Sequence, residues 1–195
     1  MPDGSEPLDR RIAQQVRQLR AAAGLSLEAL AERSGVSRSM ISLIERGESS
    51  ATAVLLERLA TALEVPLATL FAAPGPAPAP VARRADQLSW RDPASGYLRR
   101  NLSPSGFHSP IQLVEVEFPP GARVAFESGA RGGRVHQQVW VLAGAIAVTV
   151  GEACYELRTG DCLAFVLDRP TSFANRTAKP ARYAVVIVSQ PGTER

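Results

Sequence analysis

The stretch "GLSLEALAERSGVSRSMISLIERG", Gly24–Gly47, reads as two short helices joined by a tight turn. Gly24 closes a preceding helix, because glycine takes the left-handed backbone conformation without a Cβ penalty. Ser26 caps the next helix, its hydroxyl placed to accept a hydrogen bond from a first-turn N–H. That helix offers Leu27, Leu30 and Ala31 to a core and carries Glu28 and Glu32 in its body. "SGV" makes the turn at Gly35, and Ser37 caps a third helix, "SRSMISLIE", whose inward residues are Ile41 and Ile44. Gly47 stops it.

The flanks extend the same pattern. Upstream, Ile12, Val16, Leu19 and Ala23 fall at i, i+4, i+7 and i+11, one face of a helix over about Leu8 to Ala23. Downstream, Leu55, Leu56, Leu59 and Leu63 predict a fourth helix from Thr52 to Leu63. Pro66 stands as the first-turn proline of a fifth, ending near Phe71. Helices paired across a glycine turn form a helix-turn-helix arrangement.

At Pro74 the pattern changes. "APGPAPAP" places proline at every second position, which blocks helix and ladder pairing and favours extended polyproline II. Residues 74–80 would then span roughly 22 Å. The expected organisation is a helical domain over 8–72, a Pro/Ala-rich linker over 73–83 and a β domain over 84–190. In that last part "IQLVEVEF", "VWVLAG", "AIAVTVG", "CYELRTG", "CLAFVL", "TSFAN" and "ARYAVVIV" read as strands. Turn signals recur between them, which predicts a sandwich or barrel such as the double-sheet jelly roll.

Composition sets outer limits. The 195 residues are 45% hydrophobic, with no apolar run near the ~18–20 residues of a membrane helix. The start "MPDGSEPLDRR" lacks the basic-then-apolar order of a secretory signal, so a cytoplasmic location is expected. Cys154 and Cys162, the only cysteines, fall in strand-like segments and read as buried and inert. The net charge of +3 is uneven: residues 1–72 hold eight arginines against nine acids, and the basic excess lies behind them. If the front half meets DNA, its arginines must gather on one face.

The ordered set Arg20, "GLSLEALA", "SGVS", "ISLIERG" and "LATALEV" resembles the phage-repressor-like, XRE-type family of DNA-binding domains over roughly Leu8 to Phe71. The resemblance implies a five-helix, lambda-repressor-like fold and a partner in double-stranded operator DNA. It implies that Arg20 and Glu45 form a structural ion pair tying the first helix to the end of the recognition helix. It places Ser37, Arg38 and Ser39 at base edges, with Ser42 and Leu43 one turn on. Arg38 is the best reader, since a guanidinium can bond guanine O6 and N7 together; a phosphate contact is the alternative. Arg10, Arg11, Arg17, Ser49, Ser50 and Thr52 are candidate phosphate partners. Where the family often has a glutamine that touches the DNA backbone this chain has Leu27, so Ser26 is expected to carry more of that contact.

Behind the linker, "FPPGA", "VHQQVWVLAGAIAVTVG" and "LRTGDCLAFVLDRPTSFANRT" resemble the cupin family, over about Arg84 to Ser189. The resemblance implies a double-stranded jelly-roll barrel. Metal-binding cupins place histidines and a glutamate where this chain has "GARGGRV", Gln137 and Thr171, so no metal or other cofactor is expected. Strand alternation sets Gln137, Val139 and Val141 on one face and His136, Gln138 and Trp140 on the other. Gln137, Thr171, Phe173 and Asn175 then suit a small, partly apolar organic effector. The expected protein is a homodimeric bacterial regulator with a sensing barrel and no enzymatic activity. The alternatives are a metal-dependent cupin oxygenase or epoxidase with an appended helix-turn-helix domain, and a constitutive DNA-binding dimer with an inert barrel.

Overall fold

The computed structural model describes residues 8–65, 67–71, 80–104, 107, 109–127 and 133–191; most of the proline-rich segment and His108 lie outside them. The chain divides into two compact units, Met1–Pro76 and Ala77–Arg195.

The front unit contains α1 (Leu8–Ala22), α2 (Leu27–Ser34), α3 (Arg38–Glu45) and α4 (Ala53–Ala62). Side-chain caps fix where three of them begin. Ser26 Oγ accepts from Ala29 N at 3.1 Å, Ser37 Oγ from Met40 N at 3.3 Å and Thr52 Oγ1 from Leu55 N at 3.3 Å. Gly35 ends α2 in the left-handed region, its N–H returned to the Ala31 carbonyl. Val16, Leu30, Ile41, Leu56 and Leu59 are wholly buried, one apolar stripe from each helix. The expected fifth α-helix is instead a 3-10 helix, Leu67–Phe71. Five residues are too few to repay α-helix nucleation, and the tighter winding suits a short piece. It seats Leu70 and Phe71 in the core beside α1 and α4.

Among the described residues the back unit has ten strands: β1 (Ser89–Arg91), β2 (Leu98–Asn101), β3 (Ile111–Phe118), β4 (Arg123–Phe126), β5 (Gly133–Ala143), β6 (Ala145–Val150), β7 (Ala153–Arg158), β8 (Cys162–Val166), β9 (Thr171–Ala174) and β10 (Ala181–Pro191). They form a six-stranded sheet, β1-β2-β3-β10-β5-β8, and a four-stranded sheet, β4-β9-β6-β7. The pairs nest: β3 with β10, β4 with β9, β5 with β8, β6 with β7, all antiparallel. That nesting is the double-sheet jelly roll, the architecture of cupins. The jelly-roll barrel that the resemblance implied takes the form of two facing sheets, which no ladder joins among the described residues. β1, β2 and β4 were not among the expected strands; each has three or four residues and carries arginine, too little to show alternation.

Val114, Phe118, Val139, Val141, Ile146 and Val148 fill the space between the sheets. A line of aromatic contacts runs from Phe126 through Phe173, Tyr183, Phe118 and Tyr97 to Trp90, with centroids 5.8–6.3 Å apart. Burial pushes the Tyr97 phenol up to about 12 and holds the nearby Arg99 guanidinium below its usual range. At Gly144, between β5 and β6, φ is +79° and a Cβ would come within 2.9 Å of the Pro180 carbonyl oxygen, so only glycine fits. Cys154 and Cys162 correct the expectation of buried thiols. Both are exposed, because each occupies an outward position of its strand.

Candidate functional site

Ser37, Arg38 and Ser39 are exposed at the N-terminus of α3. Ser37 and Ser39 share a hydroxyl contact of 3.2 Å. Arg38 reaches back to α2, its Nε 2.6 Å from Glu28 Oε1, with both side chains about two-thirds exposed. Ser42 and Leu43 are half-buried one turn on, and Ser42 Oγ accepts a bond from Arg46 Nη1. Arg46 also donates twice to Glu48, at 2.8 Å each. Those bonds hold the Arg46 guanidinium above its usual range and the Glu48 carboxyl below its own. Arg46, Glu28 and Glu48 were not among the site residues expected from the sequence. The i to i+4 spacing of Ser42 and Arg46 was the available signal for the first.

α3 is held from behind. Arg20 Nε and Nη2 donate to the two Glu45 oxygens at 2.6 and 2.8 Å, and Nη1 donates to the Leu25 carbonyl at 2.9 Å. The side chains are 17% and 8% exposed, so this forked pair is structural and not a solvated surface contact. The bond to Glu45 holds the Arg20 guanidinium above its ordinary range. Of the remaining candidates, Ser26 and Thr52 are helix caps, Ser50 Oγ donates to Asp9 at 3.0 Å, and Arg11 and Ser49 are half-buried.

In the jelly roll, Gln137 follows the alternation of β5. Val139 and Val141 are wholly buried, whereas Trp140 is 51% exposed. β5 keeps an unbroken register with β8 from His136 to Trp140, so no bulge turns His136 inward. Gln137 on one sheet and Thr171 and Phe173 on the other face a common interior. Phe173 is occupied by packing, stacked on Tyr183 and edge-on to Phe126. Asn175 is corrected as a ligand contact. Its amide donates to the Phe118 and Lys179 carbonyls at 3.1 and 2.8 Å, and its oxygen accepts from Thr177 N and Oγ1 at 3.0 and 2.8 Å. That uses its hydrogen-bonding capacity. A cavity of about 340 Å³ lies on the outer face of the four-stranded sheet, lined by Arg123, Thr149, Ser172 and Arg176 among others.

The helical geometry has a counterpart in known families: the helix-turn-helix model HTH_3 matches residues 16–70. Residues 16–70 are a helix-turn-helix domain. The HTH-type transcriptional regulator SutR of Escherichia coli (strain K12) is 45% identical over 69 residues, which is 35% of this chain and 39% of SutR. The match therefore spans well under half of that relative. An HTH_3 family transcriptional regulator from Vibrio cholerae, known as a crystal structure, is similar over 93% of this chain and 96% of its own, with a TM-score of 0.75 and 27% identity. Hydroxypropylphosphonic acid epoxidase from S. wedmorenis overlaps 91% of this chain and 97% of its own at a TM-score of 0.47 and 18% identity, too slight a likeness to bear on chemistry.

α3 is the second helix of the motif, and Ser37, Arg38 and Ser39 are exposed at its N-terminus. The cupin resemblance raises a metal, and the donor set does not fit one. Gln137 and Thr171 are neutral, Asn175 is spent on its turn, and His136 points away from the interior. Among the described residues no three His, Cys, Asp or Glu side chains gather closely enough to hold an ion. Nor, among them, is any helix long and apolar enough to cross a membrane.

Proposed function

We propose that this chain is a bacterial, cytoplasmic transcriptional regulator, with a DNA-binding domain over residues 8–72 and a cupin-like domain over 84–190. It binds operator DNA as a homodimer, and the jelly roll joins the copies and responds to a small organic molecule. The observation that carries the reading is the exposed Ser37-Arg38-Ser39 tip of α3, braced by the forked Arg20–Glu45 pair. A groove-reading helix needs that combination of free polar side chains and a fixed angle. The likeness to SutR and to the Vibrio cholerae regulator supports it. Ser26, Arg11, Ser49 and Thr52 serve as backbone partners, and Gln137, Thr171 and Phe173 as the interior lining for the effector.

The test is a titration of DNA variants with Arg38→Ala. If Arg38 reads guanine, the substitution costs roughly 1–3 kcal/mol per half-site and erases preference at one base. Equal weakening on every sequence, with a shallower salt dependence, assigns Arg38 to phosphate instead. Wild-type protein with no preference among sequences contradicts the regulator reading.

Two further outcomes follow. Glu28 competes with DNA for Arg38, so Glu28→Gln should tighten binding by up to about fivefold, the scale of an exposed ion pair. Unchanged affinity would show that the pair is already open in solution. Purified protein should carry far less than one equivalent of iron, zinc or manganese by elemental analysis. A stoichiometric metal lost on His136→Ala would favour a metal-dependent oxygenase.

A further inference from the structure

An antiparallel sheet with one face in water ordinarily alternates apolar and polar residues. β10 does not. "YAVVIV", Tyr183–Val188, is apolar on both faces, the pattern of a strand covered on both sides. Tyr183 and Val185 point inward and are buried; Val186 and Val188 point outward. The register extends that outward row across four strands. Val188 lies between Ile111 and His136, with Val166 beyond; Val186 lies between Leu113 and Gln138; Ala184 lies between Glu115 and Trp140. His136 and Gln138 are the only uncharged polar side chains in these rows. Trp140 and Ile111 are each 51% exposed.

We infer that this outer face of the six-stranded sheet, centred on Trp140 and Val186, is the surface through which two copies of the chain join. The inference rests on the dimeric reading above and names its interface. Four strands by five residues cover about 19 by 17 Å, roughly 320 Å². That is about two-fifths of the ~800 Å² each partner contributes to a stable pair, so it forms the centre and needs a polar rim. The rim is present on β2, β3 and β10. Arg100 contacts Glu115 and Glu117 at 3.8 and 3.4 Å, and Arg182 contacts Glu115 at 3.5 Å. Two arginines balance two glutamates, and Arg182 and Glu117 remain half-exposed. A neutral rim bearing both signs is self-complementary under a two-fold axis: Arg182 of one copy can meet Glu117 of the other. A partner of single-sign charge would find no matching field.

The test is sedimentation of the full chain. Wild type and Arg123→Glu, altered on the outer face of the other sheet, should run as dimers. Trp140→Glu and Val186→Glu should run as monomers, their dimer dissociation constants raised at least about a hundredfold by a buried unpaired charge. Trp90 fluorescence and a thermal melt establish that each variant is folded. A second measurement uses the unaltered chain. Cys162 pairs with Trp140 across β5 and β8, whereas Cys154 sits on the opposite sheet. Iodoacetamide should therefore modify Cys162 more slowly than Cys154. A monomeric wild type, a folded Trp140→Glu that stays dimeric, or equal reaction of both cysteines overturns the inference. Neither measurement involves DNA, so failure of the regulator reading would register separately, as absent sequence preference.

Discussion

Asn175→Ala should lower the melting temperature of the jelly roll by several degrees at the least, with the helical unit unaffected. Asn175 is 1% exposed, and its amide closes four hydrogen bonds that tie the end of β3 to the turn leading into β10. Truncation strands the Phe118 carbonyl in the interior. With the other partners nearer water, the loss is about 2–4 kcal/mol. Asn175→Asp should be worse, because a carboxylate would face the Phe118 and Lys179 carbonyls where two N–H donors now point. Both tryptophans, Trp90 and Trp140, lie in this unit, so their fluorescence reports its unfolding alone. An unshifted fluorescence transition in Asn175→Ala would show that the turn holds without the side chain.

Glu45→Ala should do the same to the helical unit. Breaking a fully buried ion pair costs about 3–5 kcal/mol; here Arg20 keeps some exposure and its bond to Leu25, so roughly 2–4 kcal/mol is expected. For a domain of this size that lowers Tm by roughly 8–32 °C. The signal is helical circular dichroism, with tryptophan fluorescence unmoved. Glu45→Gln, which keeps an acceptor for the guanidinium, should fall between. DNA binding should weaken with Glu45→Ala below the new Tm, because α3 loses its brace to α1. A helical unit that melts unchanged would show that the pair is solvated.

The helical unit was legible because its punctuation is local. Ser26, Ser37 and Thr52 each cap the helix that follows, and Gly35 ends α2, all within four residues of the groups they satisfy. The fifth helix was misread because Pro66 signals a start and says nothing of length. Five residues wind as a 3-10 helix. In the jelly roll, the alternation of β5 could be read from "VHQQVWV", including the outward turn of His136. The role of Asn175 could not. Its partners include Phe118, 57 residues away, and only the β3–β10 and β4–β9 pairings bring them together. The cysteines were misjudged for a related reason: an apolar strand does not disclose which of its faces is covered until its partners are known.

The most direct test of the account is selection of tight-binding fragments from a random DNA pool, followed by measuring the mass of the selected complex. The account predicts a pseudo-palindrome with half-site centres about 34 Å apart, or a multiple of that, and two chains bound per site. A single unrepeated half-site with one chain bound, or no enriched sequence at all, would contradict it.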